Sequence, residues 1–259
     1  MTLILSLTRE EVRDVPARKR YWTGLPDGGR NPKVMEEMDK MKKLLLAALV
    51  LSLGSTAWAD VLWNQALDPN AAAYVDQEFS DYPTYSSYQV HDIVVPATGW
   101  TIQKITTWYI DGATPGNWTT VTQGRLNVFP KTGSLPAAGN DPAAGTAYPI
   151  TIVNPAGGVA EISMSGLNIV LPAGQYWIGF TPMTTFATHG QKFLGQTTSI
   201  QGNQSAIRNP GGAFGFGTAW AATSVIGATL DSAIKIEGLP VPEPSSLLLL
   251  GALALLRRR

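Results

Sequence analysis

Residues 88–110 read YQVHDIVVPATGWTIQKITTWYI. Two runs rich in Val, Ile, Thr, Tyr and Trp flank Pro-Ala-Thr-Gly. β-Branched and aromatic side chains suit the half-buried, pleated surface of a sheet, and Pro and Gly punctuate it. This stretch therefore predicts strands over residues 88–95 and 99–110. The same grammar recurs in GRLNVFP (124–130), AYPITIV (147–153), VAEISMS (159–165), LNIVL (167–171), GQYWIGFT (174–181) and SAIKIEG (232–238). Strand alternation places Tyr176, Ile178 and Phe180 on one face, with Trp177 and Gly179 on the other. Between residues 60 and 238 nothing sustains a helical apolar period. Eight or more strands with turn residues between them predict an all-β fold: a single β-sandwich domain, jelly-roll-like, over residues 60–238. The Gly/Pro/Ala-rich stretches 130–149 and 208–217 are expected to be long surface connections.

The 259 residues include no cysteine and two histidines, which excludes disulfide frameworks and thiolate chemistry. A formal net charge of zero conceals segregation: residues 60–240 hold six Lys/Arg against eleven Asp/Glu. That acidic middle argues against nucleic acid as a partner, since phosphate recognition needs clustered basic side chains.

Upstream, MKKLLLAALVLSLGSTAWAD (41–60) has the parts of a secretory signal. Lys42 and Lys43 precede a ten-residue apolar run, 44–53, and Ala57-Trp58-Ala59 offers small residues for cleavage before Asp60. The run is too short to span a bilayer, which takes about 20 apolar residues. Residues 41–59 are thus expected to be a signal peptide read by the Sec translocon. Residues 1–40 show no sustained helix or strand period. They are expected to be a mis-assigned start, with translation beginning at Met41, Met38 or Met35, or a disordered extension. The alternative is a genuine long n-region.

Residues 239–259 form a second address. Pro242-Glu243-Pro244 is followed by two serines, an apolar run over 247–256, and Arg257, Arg258 and Arg259. The prolines favour extended chain, so helix can begin only after them. The Leu/Ala run enters lipid, and the arginines act as a stop at the cytoplasmic face. In this order the elements resemble the PEP-CTERM sorting signal of Gram-negative bacteria. The resemblance implies recognition of the tail by an exosortase, a membrane-embedded cysteine protease or transpeptidase that cuts near the motif. It implies transient inner-membrane anchoring through a short hydrophobic helix, then a cell-surface or extracellular-matrix location. Residues 245–256 would give about 18 Å of helix at 1.5 Å per residue, well short of a bilayer core of about 30 Å. Within the domain, HDIVVPATGWTIQKITTWY, LPAGQYWIGF and SAIKIEGLPVPEP are similar to segments of exported proteins bearing this signal. The activity of those domains is mostly unknown, so the likeness bears on fold and destination.

Candidate chemistry is sparse. His91 and Asp92 are adjacent and point to opposite faces of a strand. A half-exposed histidine is the expectation for His91, and His189 has no acidic sequence neighbour. Neither H-E-x-x-H nor G-x-S-x-G occurs, so no catalytic residue is assigned and no catalysis is expected. A hydrolase would need two carboxylates across a cleft, and none stands out. No cofactor is expected beyond calcium, for which Asp76, Asp81 and Asp111 are the candidate ligands. Aromatic rings are the remaining signal. Trp100 and Trp177 lie on apolar strands and are expected in the core. Trp118, in the polar stretch GNWTT, and Tyr82 and Tyr85, in DYPTYSSY, are the candidates for exposed rings that stack on sugars. The leading expectation is a non-catalytic structural or matrix-associated protein. The alternative is a carbohydrate-binding module for extracellular polysaccharide, with a hydrolase behind it.

Overall fold

The computed structural model describes residues 32–53, 59–112, 118–153 and 158–241. Pro242, Glu243, Pro244, Arg257, Arg258, Arg259 and the apolar run before the arginines lie outside them, as do Ala57 and residues 1–31. The chain divides into two compact units, residues 1–56 and 57–259.

The first unit contains α1 (Pro32–Leu53). It starts nine residues upstream of Met41, inside the stretch in which the sequence showed no sustained helical period. Proline suits a first helical turn, where its missing N–H costs nothing. Lys40 pairs with Glu36 one turn away at 2.7 Å. Residues 33–43 of this helix are exposed, so they need no apolar stripe, and periodicity could not reveal them. No helix among the described residues is long and apolar enough to cross a membrane.

The second unit is all-β. Its strands in chain order are β1 (Asp60–Gln65), β2 (Ala73–Val75), β3 (Glu78–Phe79), β4 (Tyr88–Val95) and β5 (Trp100–Asp111). There follow β6 (Gln123–Pro130), β7 (Thr146–Pro149), β8 (Thr151–Val153), β9 (Val159–Leu171) and β10 (Gly174–Thr184). After the one-turn α2 (Phe186–His189) come β11 (Lys192–Thr197), β12 (Ala206–Arg208), β13 (Ala221–Ala222), β14 (Asp231–Ser232) and β15 (Ile234–Pro240). They form an eight-stranded and a seven-stranded sheet, packed face to face.

β5 is the hub of the larger sheet. β9 pairs along one edge from Trp100↔Leu171 to Ile110↔Val159. The other edge is shared: β15 holds it through Thr107, and β11 takes over at Tyr109. β1 lies outside β15, β8 outside β9, and β2 and β14 on β11. The smaller sheet runs β13-β12-β4-β10-β6-β7, with β3 parallel to the end of β10. A jelly-roll is therefore the wrong architecture. Both sheets are open: no ladder among the described residues joins their outer strands, and neither sheet curls into the other.

The sequence stretch 88–110 supplies one strand to each sheet. β4 and β5 are joined by a tight turn in which the Gly99 N–H donates to Pro96 O at 2.8 Å, and the chain crosses between layers there. Ile93, Val95, Trp100, Ile102 and Ile105 meet in the inter-sheet core with Ile162, Met164, Ile178 and Phe180. A second, smaller core lies on the far face of the seven-stranded sheet. There Tyr88, Val90, Trp177 and Ala206 are covered by Leu135, from the stretch 130–149, and by Trp220, three residues beyond the stretch 208–217. The stretch 130–149 is thus more than a surface connection, because Leu135 caps apolar strand residues that would otherwise face water.

Candidate functional site

The candidate sugar-stacking rings separate. Trp118 is 5% exposed, which corrects its expected surface position. Its ring meets Tyr109 edge-on at 5.9 Å and lies under the Lys192 ammonium at 4.2 Å. Its Nε1–H donates to Asp111 Oδ2 at 3.2 Å. Polar sequence neighbours gave no sign that β5 and β11 would close over it. Tyr82 and Tyr85 are 49% and 44% exposed. They are not coplanar partners of one another: Tyr82 meets Phe186 edge-on, and Tyr85 meets Phe214 edge-on.

The three calcium candidates are also apart in role. Asp111 accepts a hydrogen bond from Lys192 Nζ at 2.5 Å, and Lys192 is fully buried. Desolvation lowers the Lys192 pKa, and the Asp111 carboxylate opposes it. Asp81 caps α2, accepting from the Phe186 and Ala187 N–H groups at 2.8 and 3.0 Å. Asp76 is fully buried: Oδ1 accepts from Thr181 Oγ1 at 2.8 Å and from Gln89 N–H at 3.0 Å. Among the described residues no three His, Cys, Asp or Glu side chains converge on one point.

Tyr109 Oη lies 2.5 Å from Asp76 Oδ2 and 2.6 Å from Phe180 O, so its single hydrogen faces two acceptors. Burial pushes the Asp76 carboxyl up to about 7, against the hydrogen bonds from Tyr109, Thr181 and Gln89. Asp231 forms a second buried acid with Gln65, Ser205 and Ser232, and burial raises it to about 6.

His91 is 1% exposed, not half-exposed, because β4 turns it into the inter-sheet layer beside Trp63. Neither ring nitrogen has a hydrogen-bond partner, and burial drives its pKa down to about 3. Asp92 points the other way, to Lys131 and to the Asn203 N–H. His189 is buried in α2. Its Nε2 lies 2.8 Å from Thr120 Oγ1, and its Nδ1 lies 2.9 Å from the Thr185 N, 3.0 Å from Thr185 Oγ1 and 3.1 Å from Thr185 O. Burial lowers the pKa of this imidazole. A cleft of about 380 Å³ opens here, lined by Glu78, Ser80, Thr120, Thr185 and His189.

A larger groove of about 460 Å³ runs beside β6 and β7. Its lining includes Asn127, Phe129, Asn140, Asp141, Thr146 and Tyr148. Asn127 is 1% exposed, and neither its Oδ1 nor its Nδ2 has a hydrogen-bond partner. Sequence reading passed over Asn127: an asparagine in GRLNVFP carries no motif, and only tertiary packing shows that its amide is unpartnered.

The two ends of the folded unit are neighbours. β1 begins at Asp60, which pairs with Gly238 of β15, and the Val241 N–H closes the last strand onto Gly99 O at 3.1 Å. No protein-family model, curated protein or solved structure matches the chain.

Proposed function

We propose that this is an exported protein of a Gram-negative cell, passed through the Sec translocon and sorted by an exosortase through its Pro242-Glu243-Pro244 tail. Its role is structural or matrix-associated, at the cell surface or in the extracellular matrix, without a catalytic step of its own. The tail helix holds it transiently in the inner membrane before processing. One observation carries this reading. The strands begin at Asp60, directly after the expected signal-peptide cut, and end at Pro240, directly before the Pro-Glu-Pro motif. Both cuts would spare every strand of the domain.

Intact mass of the protein recovered from its native host, with both termini mapped, tests the proposal. The expected species starts at Asp60 and ends between Pro242 and Ser245. A species that keeps Leu247–Arg259 would mean a permanent anchor, and the matrix role would be abandoned.

A further inference from the structure

We propose that the groove beside β6 and β7 is a binding site for a neutral saccharide segment. The proposal deepens the matrix-associated reading and rests on it for the class of ligand.

The first ground is Asn127. A buried carboxamide with two donor hydrogens and an acceptor oxygen ordinarily finds partners, and one left without any needs an explanation. Asn127 has none at either atom, and it stands in the wall of the groove. The second ground is the strand edge. β7 pairs with β6 from Gln123 to Leu126, so from Asn127 onward no strand among the described residues pairs with that edge of β6. The third is the mixture of surfaces. The half-buried Tyr148 offers ring area for the apolar C–H face of a pyranose, while Asn127, Asn140, Thr146 and the Asp141 oxygen not held by the Ala143 N–H offer amide, hydroxyl and carboxylate partners for its hydroxyls. A carboxamide presents donor and acceptor side by side, as vicinal hydroxyls require. A volume of about 460 Å³ falls within the range of small-ligand sites.

Charge selects the kind of sugar. Asp141 is the one charged side chain in the lining. Arg125, the nearest cation on β6, is engaged by Glu78 and by Gly145 O at 2.7 Å. With six basic against eleven acidic residues over 60–240, an acidic polysaccharide is repelled and a neutral one is not. Gly145 lies directly over the amide, where any Cβ would collide with Asn127 Oδ1 and Leu126 O. A saccharide therefore reaches Asn127 by displacing the loop that carries Gly145, whose only helical piece is the short turn Pro142–Ala144.

The test is calorimetric titration of the full chain with cellohexaose, mannohexaose and a galactan hexamer, with an alginate hexamer as the acidic comparison. At least one neutral hexamer is expected to bind and alginate is not. Asn127→Leu and Tyr148→Ala are each expected to weaken binding by about tenfold or more. Asn127→Leu conserves volume and removes an unpartnered amide, so its Tm is expected to stay level or rise; an asparagine kept for folding would lower it. Three outcomes overturn the proposal: no neutral hexamer binding at millimolar concentration, binding that survives both variants, or binding of an extended Thr/Val-rich decapeptide in place of the sugars. Export and processing are read from the mapped termini, so failure here leaves that reading standing.

Discussion

At the residue scale, the buried acids and His91 make stability pH-dependent in opposite directions. The Asp76 carboxyl is raised from 3.8 to about 7 in the folded chain. Its protonated form therefore stabilises the fold fully below about pH 4, and that contribution is lost as pH rises through 7. Asp76→Asn keeps a donor for Tyr109 and an acceptor for Thr181 and Gln89 without a titrating proton. Relative to the unmodified chain, it is expected to gain about 2–3 kcal/mol in unfolding free energy between pH 5 and pH 8, read by urea titration at both pH values. An equal shift at both would show that Asp76 does not titrate. His91 is lowered from 6.5 to about 3, so its contribution is full above pH 6.5 and is lost as pH falls towards 3. His91→Leu is expected to gain about 2 kcal/mol at pH 5 relative to pH 8 in the same experiment. Neither group announces itself in sequence. DQEFSD reads as turn acids, and it is the pairing of β2 with β11 that carries Asp76 inside. The opposite orientation of His91 and Asp92 was legible, because alternation is a property of the strand itself.

At the element scale, strands with strong alternation were readable to within three residues. β4 spans the residues read for it; β10 runs three residues past Thr181 and buries Ile178 and Phe180 on one side and Trp177 on the other. Where glycine or a change of partner intervenes, reading failed. The runs 159–165 and 167–171 are one strand, β9, carried through Gly166 at φ 71° where the register with β5 shifts. β2, β3, β12 and β13 are too short for a period to register; they exist because neighbours offer an open edge. The covering loops are elements in the same sense. Trp220 is 6% exposed, packs edge-on against Phe129 and donates Nε1–H to Asn140 O at 2.9 Å. Trp220→Ala is expected to cost about 3–5 kcal/mol and to speed amide exchange in β12, which the loop shields. Loss below about 1 kcal/mol would show that the loop is a passive connection.

At the scale of the whole molecule, the domain closes on its own ends. β15 supplies Ile234 and Ile236 to the core and lies between β1 and β5. A chain ending at Val241 is expected to unfold at the same temperature as the full chain, whereas one ending at Ser232 is expected not to fold; circular dichroism melts of both distinguish the cases. By itself the sequence determined that the domain is all-β and which residues alternate between faces. Those properties are local: β-branched content, period two and proline placement act within a few residues. Only the tertiary structure decided that the sheets fork at β5 instead of rolling, that Trp118 and Asp76 are inside, and that Asn127 stands unpartnered in a groove. Each of these depends on which distant strand takes a free edge, and an edge is filled by whichever segment of the chain can reach it and bury its side chains there.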